Sequence, residues 1–113
     1  MLNTFELPQY ILGQYPHEKI THLKLQKLLY YVKVWGIVAG VELYQGEFKK
    51  WERGPVNTEV YHKYKSFGRD PIMQEPDTGQ PNLDGLEKEL TDFIVSSYIP
   101  ISAISLSAEG RLL

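Results

Sequence analysis

Two residues raise the question of what this 113-residue chain does. In the stretch WERGPVNTEVYHKY, Trp51 and Arg53 stand just before Gly54-Pro55, and a tyrosine-bearing helical pattern starts directly behind them. Tryptophan and arginine are residue types that anchor one protein surface on another, because each buries a large, partly polar side chain in a single contact. The same types also simply pack, so the pattern by itself leaves recognition and core packing both open.

The other residues with chemical potential point away from catalysis. HEKITH, from His17 to His22, resembles the two-histidine motif of zinc proteases, but a metal pair on a helix needs spacing i and i+4. Here the histidines are five apart, with Pro16 before them and a capping residue, Thr21, between them. No metal site is expected. His62 reads as a surface or packing histidine. Glu87, Glu89 and Asp92 lie on an ordinary acidic helix face. A nucleophile elbow, a phosphate-binding loop and a dinucleotide glycine pattern are all lacking. The chain is expected to be no enzyme and to use no cofactor.

Composition narrows the class further. With no cysteine there is no disulfide framework, thiolate nucleophile or cysteine-based metal site. No apolar run approaches the roughly 20 residues of a membrane helix, and MLNTFELPQY lacks the basic start of a signal peptide. These features suit a cytoplasmic protein without a membrane partner. Net charge is -2, but it is unevenly spread: residues 1–69 hold ten Lys/Arg against six Asp/Glu, and residues 70–113 hold two against eight. Either the two halves neutralise each other, or a basic face meets an acidic partner. With only three arginines, the chain lacks the clustered basic excess of nucleic-acid domains.

The elements that must position Trp51 and Arg53 follow from periodicity. A short helix is expected from Thr4 to Tyr15. A second, capped by Thr21, carries Leu25, Leu28, Leu29, Val32, Trp35 and Ala39 at helical spacing. Because Tyr30, Val34, Ile37, Val38 and Val41 fill another face, its C-terminal half is apolar nearly all round and reads as largely buried, with Lys24, Gln26, Lys27 and Lys33 at the wetter end. Gly36 suits close packing and Gly40 a helix end. Gln45-Gly46 predicts a small hairpin or ribbon between the second and third helices. Gly54, Pro55, Val56 and Asn57 then form a strand-to-helix corner in which Asn57 caps the third helix, which stops at Gly68. After a proline-rich loop, Leu83 to Tyr98 forms a further helix with Leu86, Leu90, Phe93 and Ile94 on one face. A last short helix is expected from SAISLSAEGRLL. The fold class is mainly α, a compact helical domain with one small β element, in a single domain over 1–113.

The segments ITHLKLQKLLYYVKVWGIVAG and FKKWERGPVNTEVYHKY together resemble the Panacea domain family, the SocA-like and phage-associated proteins. The first motif is carried by Thr21, Leu23, Lys24, Leu25, Lys27, Leu28, Leu29, Tyr30 and Tyr31, the second by Trp51, Gly54, Pro55 and Val56 with Tyr61 behind them. The resemblance covers residues 5–70 firmly and 83–107 loosely. It implies an antitoxin that neutralises a toxin encoded beside it by direct binding, in some relatives by handing the toxin to a ClpXP-type protease. The alternative is a DNA-binding regulator or phage accessory protein. The partner-binding set it suggests is Lys24, Lys27, Tyr30, Tyr31, Trp51, Arg53 and Tyr61, with both lysines expected on the surface. Relatives continue past the Ser102, Ala103, Leu106, Ser107 pattern into a further segment, so the resemblance implies either a minimal member or a truncated sequence. The shortened end is expected to leave apolar surface of the Leu83–Tyr98 helix open and to favour a weak homodimer or a partner-dependent fold.

Overall fold

The computed structural model describes residues 1–73 and 81–102. Its elements run α1 (Glu6–Gln14), α2 (His22–Ala39), β1 (Lys49–Trp51), β2 (Gly54–Val56), α3 (Thr58–Tyr64), a 3₁₀ turn (Lys65–Phe67) and α4 (Gly85–Tyr98). The expected mainly α fold with one hairpin after the second helix is what forms. The proposed last helix, from residue 103 on, lies outside the described residues, as does the middle of the proline-rich loop.

Local chemistry sets most boundaries. Asn3 and Glu6 cap the entry to α1 reciprocally: the Asn3 side chain accepts from the amides of Phe5 and Glu6, and Glu6 accepts from the amide of Asn3 at 2.9 Å. Thr21 caps α2 through the Lys24 amide at 3.2 Å, and Gly40 closes it at φ 77°. Gly68 stops the turn after α3 at φ 58°.

The core forms where α2 crosses its neighbours. Leu25, Leu28, Leu29 and Val32 of α2 are fully buried with Leu7 and Ile11 of α1 and Val60 of α3. The N-terminal strand segment completes the layer: the Leu2 amide donates to Leu43 at 3.0 Å and the Gln45 amide donates back to Leu2 at 2.9 Å, a parallel bridge. Tyr31 stacks on Tyr98 with centroids 4.1 Å apart, locking α4 to α2.

Four expectations are corrected. The hairpin lies one turn later than Gln45-Gly46: β1 and β2 pair antiparallel with Trp51 opposite Gly54, so Gly54-Pro55 belongs to a strand instead of ending one. Gly46 serves another purpose, since a Cβ there would come within 2.4 Å of the Tyr44 ring. The C-terminal half of α2 is not largely buried, for Ile37 and Val38 are 65% and 67% exposed. Among the described residues, three shorter α-helices and a 3₁₀ turn have too little mass to wrap an 18-residue one. On α4 the covered face is Thr91, Ile94 and Val95, while Leu86 and Phe93 point outward. Finally, Gln26 and Lys27 are buried, at 3% and 2% exposure.

Gly36 behaves as anticipated. A Cβ there would lie 2.7 Å from the Val41 carbonyl oxygen and 3.0 Å from Leu43 Cγ. Gly36→Ala is therefore expected to destabilise by about 1–3 kcal/mol, the overpacking range, despite alanine's better helix propensity. A denaturant midpoint equal to or above wild type would show that the chain after α2 yields freely.

Candidate partner-binding face

The hairpin tip is built from below by α2. Trp51 and Gly54 face each other across a two-residue loop, Glu52-Arg53. Neither loop residue has positive φ, so the reversal is completed by Gly54 at φ 118°, a conformation in which a side chain is strained. Under this loop lies Lys27. Its Nζ donates to the Arg53 carbonyl at 2.8 Å, and a Cβ on Gly54 would sit 2.7 Å from that nitrogen. Two requirements thus converge on Gly54: positive φ and room for a buried ammonium.

The strand-to-helix corner is fixed by a buried polar network. Asn57 caps α3 by accepting from the Val60 amide at 3.1 Å. Its backbone is gripped on both sides by the Gln26 amide: Nε2 donates to the Asn57 carbonyl at 3.0 Å and Oε1 accepts from the Asn57 amide at 2.8 Å. The Asn57 side-chain nitrogen donates to the Tyr44 hydroxyl at 3.1 Å, which donates to the Thr4 carbonyl at 2.8 Å. Every polar group in this chain of contacts has a partner, the condition under which a buried network rigidifies a fold.

The seven proposed contact residues are therefore of two kinds. Lys27 and Tyr31 are buried, against the expectation that the lysine is exposed. Lys24 is half-buried, and its Nζ donates to the carbonyls of Ile99, at 2.7 Å, and Ile101. The reason is long-range: each ammonium reaches a carbonyl far along the chain, which satisfies it in a place that local reading treats as wet. Burial of Lys24 lowers its pKa. Tyr30 is half-buried, edge-on to Phe48 at 5.5 Å and to Tyr31. The remaining three meet at one place. Trp51 is 40% exposed and rests edge-on against Tyr61 at 5.0 Å, and Tyr61 leans on His22 at 5.9 Å. Arg53 is exposed at the tip.

The hairpin also carries exposed Lys49 and Lys50 on β1 with Glu52 at its loop. Exposed Lys63, Lys65 and Arg69 lie on or just after α3, with the Lys63 ammonium over the Phe5 and Tyr64 rings. Sequence reading missed Gln26 and Tyr44 as parts of the support. The signal available was that two polar groups fell among the buried positions of α2 and its successor. Among the described residues no group of three His, Asp or Glu could hold a metal ion, and no helix is long and apolar enough to cross a membrane.

Burial raises the Tyr44 hydroxyl beyond the ordinary phenol range and raises Tyr64 in the same way. A raised pKa means that the folded state keeps these protons after the unfolded chain has released them. Stability from this source is intact at neutral pH and is lost as pH rises above about 10. Tyr44→Phe is expected to flatten that alkaline decline in pH-dependent melts. An unchanged decline would assign it to other groups.

Among the described residues, four α-helices and one buttressed aromatic hairpin define the class. Residues 25–107, about three quarters of the chain, match the antitoxin SocA-like, Panacea domain, and the chain belongs to that family. No curated protein and no solved structure matches it significantly.

Proposed function

We propose that this chain is an antitoxin that neutralises a protein toxin by binding it directly, through the face that carries Trp51, Arg53 and the exposed edge of Tyr61. Family membership supports the antitoxin role in general. The observation that carries the choice of face is Trp51, a large aromatic left 40% exposed on a hairpin that Lys27 and Gly54 hold from beneath. An exposed aromatic with a rigid backing loses little entropy on binding, which is how interface anchors act. Lys49, Lys50 and Arg53 on the same hairpin suit a partner with acidic groups about its own binding site. In this reading the chain works as a binding protein, not an enzyme, inside the cell. The captured toxin is either occluded or passed to a ClpXP-type protease.

Co-expression with the toxin encoded beside it tests the proposal. The wild-type chain is expected to restore growth, and Trp51→Ala to lose most of that protection at equal protein level. Restoration by both would move the contact elsewhere; restoration by neither would remove the antitoxin reading. Toxin half-life with and without the chain separates occlusion from degradation.

The same exposed Lys49, Lys50, Arg53, Lys63, Lys65 and Arg69 support one second reading, DNA binding by a regulator. A mobility shift on its own promoter that weakens steeply with salt would favour it over the antitoxin.

A further inference from the structure

The face formed by α4 and the C-terminal half of α2 takes no part in the hairpin contact. We propose that it joins two copies of this chain. Leu86, Leu90, Phe93 and Ser97 follow one another along α4 at steps of four, three and four, the spacing of a seam that packs along another helix. α2 does not supply that helix, because it covers the Thr91, Ile94 and Val95 side of α4. Phe93 is left 71% exposed and Leu86 59%.

Beside Phe93 opens a groove of about 340 Å³, bounded by Trp35, Ala39, Leu90, Ile94 and Tyr98. One wall is held in place by the Trp35 indole nitrogen, which donates to the Tyr98 hydroxyl at 2.8 Å. A projecting ring and an apolar hollow side by side on one face are what a two-fold contact requires, because the patch must complement itself. With an antiparallel crossing centred between Leu90 and Phe93, Leu90 meets the other copy's Phe93 and Leu86 meets its Ser97. The two Glu89 carboxylates then stay more than a helical turn apart, so like charges are not forced together.

The area sets the strength. Trp35, Val38, Leu86 and Phe93 together leave roughly 400–500 Å² of side chain open per copy, taking about 150–250 Å² for each whole residue. Two such patches, fully covered, bury about 800–1,000 Å², below the roughly 1,200 Å² of a standard specific interface and in the range of weak, transient contacts. The dimer is therefore weak and reversible, populated at high protein concentration.

Sedimentation equilibrium of the full chain, from low to high micromolar concentration, tests this. A mass that rises toward the dimer with concentration is expected. Phe93→Asp, which changes an exposed position, is expected to weaken association at least about 30-fold, the loss that marks an interface hot spot, with an unchanged melt. Leu86→Glu should act in the same direction, and Trp51→Ala should leave the mass curve as it is. A monomer at every concentration overturns the inference, as does a folded Phe93→Asp variant that still dimerises. Loss of toxin protection in Phe93→Asp, with a monomeric wild type, would also overturn it and give the face to the toxin. Full protection by Phe93→Asp is expected, so this inference fails separately from the antitoxin reading.

Discussion

Asn57→Ala is expected to cost about 2–4 kcal/mol, seen as a fall in melting temperature of about 10–20 °C for a domain of this size. A lost helix cap alone costs about 0.5–2 kcal/mol. Here the same side chain is 2% exposed and also donates to the Tyr44 hydroxyl. Alanine thus leaves the buried Val60 amide without its acceptor and removes one support of Tyr44, in a place water does not reach. Asn57→Ser separates the two parts: it can cap but cannot span to Tyr44, and should recover only the cap share. At saturating folded protein, toxin binding by Asn57→Ala should match wild type, because Asn57 lies behind the contact face. A loss below 0.5 kcal/mol in urea melts would mean that the network contributes nothing beyond its surroundings.

The second large effect is expected at Lys27. Lys27→Ala deletes a buried four-carbon stem and the hydrogen bond that holds the hairpin loop, and should cost about 2–4 kcal/mol. Lys27→Met keeps most of the volume and loses only the ammonium contact. It should stay within about 1.5 kcal/mol of wild type, as volume-conserving changes do. The informative measurement is hydrogen exchange at the hairpin. In Lys27→Met the amides of Glu52 to Gly54 should exchange faster while those of α2 are unaffected. Uniform protection in both proteins would show that Gly54 alone sets the loop.

These two residues also show what could be read from the sequence and what could not. Thr21, Asn57, Gly40 and Gly68 were legible as boundaries because capping and helix termination depend on neighbours a few positions away. The two motifs that mark the family were equally legible, and with them the strand-to-helix corner. Lys27 was not, because its partner is the carbonyl of Arg53, which only the fold brings near. A lysine on a helix reads as wet until that carbonyl is placed. The hairpin was misplaced for a related reason. Gln45-Gly46 has turn chemistry, yet Gly46 is a glycine because Tyr44 lies across it, and the chain reverses at Glu52-Arg53 with positive φ deferred to Gly54. On α4 two stripes compete, and the apolar Leu86–Phe93 stripe is the outer one. Which stripe is covered depends on Tyr98 stacking on Tyr31 and on the Tyr10 hydroxyl donating to Asp92 at 2.6 Å, neither of which periodicity encodes.

For the proposed contact set, the sequence marked the right neighbourhood and mixed its layers. Trp51, Arg53 and Tyr61 lie at the surface or half-exposed, while Lys27 and Tyr31 support from within and Lys24 ties down the end of α4. This division gives the most direct test of the central claim, that the hairpin face binds the toxin. Purified toxin should be titrated calorimetrically into the wild-type chain and into Trp51→Ala, with both melts measured beside it. Trp51→Ala should keep its fold and lose at least about 2 kcal/mol of binding free energy, a drop in affinity of roughly 30-fold or more. Equal affinities of the two folded proteins for the toxin would contradict the account.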